Sequence, residues 1–528
     1  MWRSVFATIK AELAARAEQK CSAASASSAF YVLVMVAAVV AGIASQTAPP
    51  PRAQLVIVVD GLRPDYVTPS LMPRLERLGR RGIVFTAHHS VFPTVTRVNS
   101  ASMATGVYPE SHGLLGNTVY VPAVNATKGL DTGSRENLEA IARANGPLLT
   151  APSLGELLPA AGKTLFVAGA GTSGAAFLLN HTVGTGAIVH QEFTRPESLH
   201  AHVVATLGPP PPSAMPNAAL NRRAVDAYLS LGLDERHPDL SMLWISDPDH
   251  TAHTKGIGSV ETTESLRLAD AEIGRVEDGL RSRGLLDRTN IIVVSDHGFS
   301  THTGALKLAA LVAPFAKPLP DGSPDIVVVE GSVNFRVAAD PVRAAAIVAM
   351  LQKRPEVGAI FTRPGPGAGP AGRVPGTLSF DVVRWNHPRS AEILVSANWN
   401  DDTNEAGYAG TTGDSGVAGH GTTGPYDVHN TLIAAGPDFR EGAVSGVPTG
   451  NVDLAPTLLT LLGMTIPSTM SGRVIDEALR NGAAISSVNV ERFTETARTA
   501  DDKYVLTAHL SRAAAKVYLD FTEVRRQR

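Results

Sequence analysis

The chain has a single cysteine, Cys21, among 528 residues. Disulfide scaffolds, cysteine-rich zinc modules and Cys-x-x-Cys redox chemistry are thereby excluded. So is a formylglycine made from an active-site cysteine, because Cys21 lies upstream of the first strand signal. Any metal site must use His, Asp and Glu, and 16 histidines are enough for one. Charge is scarce as well. Charged residues make up 18% of the chain and apolar residues 44%, which excludes a disordered, charge-rich polymer and leaves material for a large core. There is no basic excess: the net charge is −3, so no global field recruits nucleic acid and duplex binding is not expected.

Long apolar runs are missing except over residues 29–44. That run is shorter than the roughly 20 residues of a spanning helix and close to the roughly 7–15 of a secretory apolar region. Arg3, Lys10, Arg16 and Lys20 precede it. Gly42 and Ala44 suit a cut after Ala44, and Pro49, Pro50 and Pro51 follow. Residues 1–44 therefore read as a signal peptide or amino-terminal membrane anchor, and 45–53 as a Pro-rich linker. The expected location is exported, periplasmic or extracellular, with membrane association through residues 29–44.

From residue 54 onward strands and helices alternate. Continuous apolar runs at 55–59, 164–168, 240–245, 290–295 and 431–435, with a further strand at 82–85, mark strands buried on both faces. Helical stretches fall at 73–78, 99–105, 154–160, 221–231, 259–283 and 454–462. This pattern predicts an α/β fold with a mostly parallel central sheet flanked by helices, over a catalytic domain of residues 54–480. Residues from about 300 to 400 break the alternation with short strands (326–329, 332–337, 392–396) and Gly/Pro loops, and read as a small inserted cap. Residues 398–424 read as one long Gly/Thr/Asp/Asn loop, a length that is often functional. Residues 481–528 read as an extension packed on the domain, with a late hairpin over 504–510 and 517–521.

The reactive side chains gather where apolar strands end. Asp60, then Asp249 and His253, then Asp296 and His297 each follow such a run. Ligands of open α/β sheets bind outside these carboxyl ends. Alone, each group has an ordinary reading: Asp60-Gly61 as a turn, Asp249 and His253 as a solvated loop, His420 between two glycines as an exposed side chain. Together they supply three carboxylates and three imidazoles, the donor set for two borderline divalent ions such as zinc. Two such ions about 4 Å apart can clamp the attacking and leaving oxygens of a displacement at phosphorus. Thr96 precedes a helical stretch, whose amino terminus favours an anion; the ordinary reading is a helix cap.

These residues resemble the alkaline phosphatase superfamily, and within it the nucleotide pyrophosphatase/phosphodiesterase (type I phosphodiesterase) branch. The longest matching block is FPTVTRVNSASMATGVYPESHGLLGN, residues 92–117. Asp60-Gly-Leu-Arg63, Pro248-Asp249 with His253, Asp296-His297-Gly298, Gly419-His420-Gly421 and Val452-Asp-Leu-Ala-Pro-Thr follow in the family's order. The resemblance covers about residues 54–475 and implies an alkaline-phosphatase-like three-layer sandwich. It implies Thr96 as the nucleophile, with Asp60, Asp296 and His297 on the metal ion that activates it. It implies Asp249, His253 and His420 on a second ion that activates water; zinc is the favoured metal, in both sites or paired with another divalent ion. Asn117 would hydrogen-bond a phosphate oxygen, and the reaction would pass through a phospho-threonine. Where the family has Phe-Pro-Asn after the nucleophile, this chain has Arg97-Val98-Asn99, so Arg97 would line the substrate pocket and leave nucleotide preference open.

The implied activity is hydrolysis of a small phosphodiester or of a nucleotide phosphoanhydride. A phosphomonoesterase of the same superfamily is the main alternative. Some resembling monoesterases hold the substrate dianion with Lys-x-Arg after the strand that follows the nucleophile helix; here residues 168–173 are small. A phosphoethanolamine-type transferase would share the nucleophile but usually carries several membrane spans. A sulfatase is disfavoured by threonine at position 96. A non-catalytic binding protein on the same scaffold would have lost a ligand or the nucleophile, and none is missing.

Overall fold

The computed structural model describes residues 52–527 apart from 339 and 368. The apolar run at the start becomes the strand Ala53–Val59, the middle of the largest sheet. Across that sheet the strand order is Ala443–Ser445, Ile83–His89, His429–Ala435, Thr289–Val294, Ala53–Val59, Leu240–Ile245, Leu165–Gly169, Ala187–His190, Thr194–Arg195. Pairing is parallel from Thr289–Val294 through Ala187–His190. His429–Ala435 runs antiparallel to both of its neighbours, and Thr194–Arg195 to its one. Side chains alternate between the faces of a strand. Leu55, Ile57 and Val59 accordingly pack with the helices Pro73–Arg81, Ala218–Ala227 and Val260–Ser282. Val56 and Val58 pack with Thr96–Thr105, Arg135–Asn145, Leu154–Ala160 and Leu454–Leu461. This is a three-layer α/β sandwich around a largely parallel sheet.

Local signals set the helix starts. Ser259 caps Val260–Ser282 by accepting the Thr262 N–H. Ser153 and Glu156 form a capping box at Leu154–Ala160.

A second sheet is built from Ile326–Val329, Ser332–Phe335, Ile393–Ala397, Val357–Thr362 and Leu378–Ser379, with the helix Pro341–Leu351 against it. A three-stranded antiparallel sheet, Val490–Arg498, Tyr504–Ala513 and Lys516–Arg526, shares its apolar core through Tyr504, Leu506 and Leu510. The segment 398–424 is more regular than its composition predicts. Trp399–Thr403, Ala409–Thr412 and Ala418–Gly419 form a small sheet with Ser300–His302. Their residues are polar and poor in β-branched apolar side chains, so the order comes from long-range pairing that local pattern does not encode.

The membrane expectation is corrected. No helix among the described residues is long and apolar enough to cross a membrane. The helix Val260–Ser282 has the length, at 23 residues, but Glu, Asp and Arg recur along it. The run 29–44, on which the expectation rested together with the signal peptide and most of the linker, lies outside the described residues. Membrane association, anchoring and the exported location inferred from it are therefore withdrawn.

His112 gives the fold a pH dependence. It is fully buried, 3.0 Å from Ser102 Oγ through Nε2, and its Nδ1 accepts the Leu114 N–H. Burial pushes the imidazole down from 6.5 to about 3. Between those values the unfolded chain takes up a proton that the folded chain refuses, so stability falls as pH falls through that window. The slope is at most about 1.4 kcal/mol per pH unit for one group. Chemical denaturation at pH 7 and pH 5 should show a loss of up to about 2 kcal/mol, and His112→Gln should remove that part of the difference.

Candidate active site

Each reactive side chain stands at the carboxyl edge of the central sheet or on a loop folded over it. Asp60 follows the strand Ala53–Val59, and its Oδ2 accepts the Trp244 indole N–H at 2.9 Å. Gly61, at φ +70°, turns the chain away so closely that a Cβ would lie 3.1 Å from Asp249 Cβ and from Phe299. Asp249 and His253 lie on the helix Asp249–Lys255, one turn apart, with Oδ1 and Nε2 separated by 3.1 Å. Asp296 and His297 follow Thr289–Val294. His420 follows Ala418–Gly419.

These groups meet in two contiguous clusters. Asp60, Asp296 and His297 each place one donor atom within 4.8 Å of the others, and so do Asp249, His297 and His420. Asp249 Oδ1 joins the clusters: it lies 3.1 Å from His253 Nε2, 3.3 Å from His420 Nε2 and 4.0 Å from His297 Nε2. The three histidines are oriented alike. Nδ1–H is directed at a backbone carbonyl in each, Ala418 O for His253, Gly298 O for His297 and Thr94 O for His420. Each Nε2 therefore carries its lone pair into the cluster, the orientation that metal-ligating imidazoles adopt.

The donor atoms are also the ones left without hydrogen bonds. Asp60 Oδ1, Asp249 Oδ1 and Asp296 Oδ2 are buried and have no partner among the described residues. Orphaned buried carboxylate oxygens are costly, and His253 Nε2 faces His420 Nε2 at 3.3 Å. Burial, then repulsion from Asp296 and Asp249, raises Asp60 well above the usual carboxylate range. Burial would raise Asp249 too, but His253 and His420 outweigh it and hold it well below. Burial, with the neighbouring His297, pushes His420 down to about 4. Neutral and ionised groups of one kind are thus forced together, a conflict that divalent cations would relieve. The donors fit two metal ions.

Thr96 sits beside them at the first position of the helix Thr96–Thr105. The residue before it, Val95, is the N-cap and makes no side-chain cap bond. Thr96 Oγ1 caps no backbone N–H; it lies 3.2 Å from His297 Nε2. The helix-cap reading is therefore not the one observed. Thr94, two residues earlier, fixes the opposite wall: its Oγ1 donates to Thr422 O and accepts the Gly421 N–H.

Two clefts open onto Thr96. One, of about 640 Å³, runs past Arg97, Asn117, His253 and His420 to Val328, Glu330 and Leu394 of the second sheet. The other, of about 570 Å³, is lined by Asp60, Arg97, Thr172, Ser173 and Asp249. Asn117 Oδ1 accepts the Arg97 N–H at 3.0 Å, and its amide nitrogen has no partner among the described residues. The Arg97 guanidinium lies 3.5 Å from Asp131 Oδ1.

Several residues that position this site were not singled out from sequence. Ser90 Oγ and Asn451 Nδ2 both donate to Asp296 O. Ser295 Oγ accepts the Leu62 N–H and donates to His297 O. Glu330 accepts the Asn117 N–H from the tip of a hairpin 213 residues away in sequence. Short strands are legible at 326–329 and 332–337, but not that they pair as a hairpin or what its tip touches.

A family model described as type I phosphodiesterase / nucleotide pyrophosphatase matches residues 54–400. Among curated proteins, the chain is 28% identical to venom phosphodiesterase 2 of Crotalus adamanteus over 246 residues, 46% of this chain and 26% of that protein. It is 28% identical over 246 residues to a venom phosphodiesterase of Naja atra, again 46% of this chain and 26% of the relative. It is 27% identical over 249 residues to ectonucleotide pyrophosphatase/phosphodiesterase family member 1 of Homo sapiens, 46% of this chain and 23% of that protein. The matched segment thus spans about a quarter of these relatives' length.

Proposed function

From the premise that this chain belongs to the type I phosphodiesterase/nucleotide pyrophosphatase family, we propose that it is a metal-dependent hydrolase of phosphodiester or phosphoanhydride bonds. The observation that carries this reading is the row of orphaned carboxylate oxygens, Asp60 Oδ1, Asp249 Oδ1 and Asp296 Oδ2, facing imidazole nitrogens beside Thr96.

Asp60, Asp296 and His297 would hold one ion, and Asp249, His253 and His420 the other, both zinc on the preference of mixed His and carboxylate sets. Bound there, the ions supply a lowered pKa for the Thr96 hydroxyl and for the hydrolytic water, together with charge neutralisation at phosphorus. Thr96 Oγ1 attacks phosphorus, the new O–P bond forms, and the bond to the leaving group breaks. The amino terminus of Thr96–Thr105 faces the developing anion with its first-turn N–H groups other than that of Arg97, which Asn117 Oδ1 accepts. Asn117 donates its side-chain amide to a non-bridging oxygen. Water then cleaves the phospho-threonine and restores the hydroxyl. Residues 54–480 would form the catalytic domain, residues from about 300 to 400 a cap over the larger cleft, and residues 481–528 an extension packed on both.

A diester is favoured over a monoester by the charges at the cleft. A dianion calls for an extra fixed cation. Thr172 and Ser173 line the cleft where resembling monoesterases place such cations, and Arg97 faces the carboxylates of Asp131 and Glu330. A small diester or nucleotide, with one charge at the reacting phosphorus, needs less. The test is kcat/KM with zinc on p-nitrophenyl thymidine 5′-monophosphate, bis-p-nitrophenyl phosphate and p-nitrophenyl phosphate. We expect a large preference for the diesters, with their ratio reporting whether a nucleoside is recognised. Preference for the monoester would overturn the diester reading, and Arg97 would then be the cation to examine.

A further inference from the structure

We propose that His89, His429 and Asp520 form a third metal-ion site, which ties the central sheet to the carboxy-terminal hairpin with a divalent ion of the zinc type. His89 ends the strand Ile83–His89 and His429 begins His429–Ala435; the two are direct register partners across that antiparallel pair. Directly opposed residues place their side chains on the same face of a sheet, and the rings lie 4.7 Å apart. Asp520 comes from Lys516–Arg526, over four hundred residues from His89 in sequence. One donor atom from each of the three lies within 4.8 Å of the others.

The hydrogen-bond pattern repeats that of the catalytic histidines. His89 Nδ1 lies 2.8 Å from Thr449 O, and Nε2 lies 2.8 Å from Asp520 Oδ1. Both neighbours are acceptors, but a neutral imidazole carries only one N–H. With Nδ1–H donated to the carbonyl, Nε2 faces the carboxylate lone pair to lone pair. A cation between them satisfies both, and a carbonyl acceptor on the far nitrogen is the usual partner of a ligating histidine. The rival arrangement is a protonated His89 paired with Asp520.

His429 supplies the second, independent observation. Its Nδ1 is sealed from solvent and has no hydrogen-bond partner among the described residues. An ion pair between His89 and Asp520 leaves that nitrogen orphaned, whereas a metal ion bound to it satisfies it. The outer shell is in place too: Ser511 Oγ lies 2.6 Å from both Asp520 oxygens, and the Tyr518 ring stacks on His89. Two imidazoles and a carboxylate are a three-ligand zinc set, with a fourth position for water. Tetrahedral ligands about 2.0–2.2 Å from the ion sit slightly farther apart than the His89–Asp520 contact, an opening of the kind side-chain rotation provides. The site is separate from the two catalytic clusters and shares no residue with them.

The test is zinc per chain, by mass spectrometry, on zinc-loaded and extensively dialysed full-length protein. Wild type should retain about three equivalents. Asp520→Asn, which keeps the shape and the Ser511 contact, and His429→Ala should each lower the count by about one and leave diester hydrolysis near the wild-type rate. His420→Ala should lower it by one through a different site, and His420→Ala/His429→Ala by two. A wild-type count of two or fewer overturns the third site whatever the variants do. Unchanged zinc in folded Asp520→Asn and His429→Ala also overturns it and leaves the ion pair. Failure of the catalytic reading would appear instead as unchanged zinc in His420→Ala alone.

Discussion

Thr96→Ala should abolish turnover, with kcat falling by about 10⁴-fold or more, the scale seen when a covalent nucleophile is removed, while both catalytic ions stay bound. The structure makes this a clean substitution. Thr96 Oγ1 has one polar contact, His297 Nε2, and caps no backbone group. Its carbonyl continues to accept the Ser100 hydroxyl, and alanine suits a helix. A folded, metal-replete and inactive variant, assayed on bis-p-nitrophenyl phosphate beside a metal count, is the expected result. Activity equal to wild type would sink the nucleophile assignment.

His420→Ala should release about one ion per chain and reduce hydrolysis at least as sharply as loss of an oxyanion donor, on the order of 10²–10³-fold. His420 Nε2 stands 3.3 Å from both Asp249 Oδ1 and His253 Nε2. Without it that cluster keeps one carboxylate and one imidazole, fewer than the three protein ligands of catalytic zinc sites. The ring also stacks on His297 at 3.4 Å, so the other ion's ligand loses a neighbour and the rate loss should exceed what one vacancy implies. Metal analysis after dialysis checks the prediction, and an unchanged ion count rejects the ligand role.

What could be read in the sequence follows from where polar groups interrupt apolar ones. Asp60, Asp249 and Asp296 were conspicuous because buried strands run straight into them, and sheet geometry brings those strand ends to one edge. Asn117 stands out only as part of the block at 92–117, whereas Thr96 is also legible at the start of a helical stretch. His420 by itself is a lone histidine between glycines, and only its place in the motif order marks it. Groups that act through chain-distant contacts left no local trace. Glu330 reaches Asn117 from a hairpin tip, and Asn451 reaches Asp296 from near the end of the domain. The strands within 398–424 carry no local signal, because Asp, Asn, Thr and Gly there follow no alternation. His89 was invisible for the same reason: its partners are supplied by residues 429 and 520.

The strand Ile83–His89 has its own consequence for the growing chain. Its three sheet partners are His429–Ala435, Ala443–Ser445 and Thr449–Gly450, all late in the sequence. A nascent polypeptide that has emerged as far as residue 400 already contains Thr96 and every metal ligand proposed above except His420. The strand leading to Thr96 still has no neighbour to pair with. The apolar edge of Thr289–Val294 that His429–Ala435 will cover stays open over the same interval. Closing so long a loop late is slow, and an unpaired edge meanwhile invites association with other chains. Assembly of the reactive centre is therefore deferred until residues 429–450 have been made, and a protein cut off at residue 400 would have its parallel strands in place but the strand leading to Thr96 unpaired.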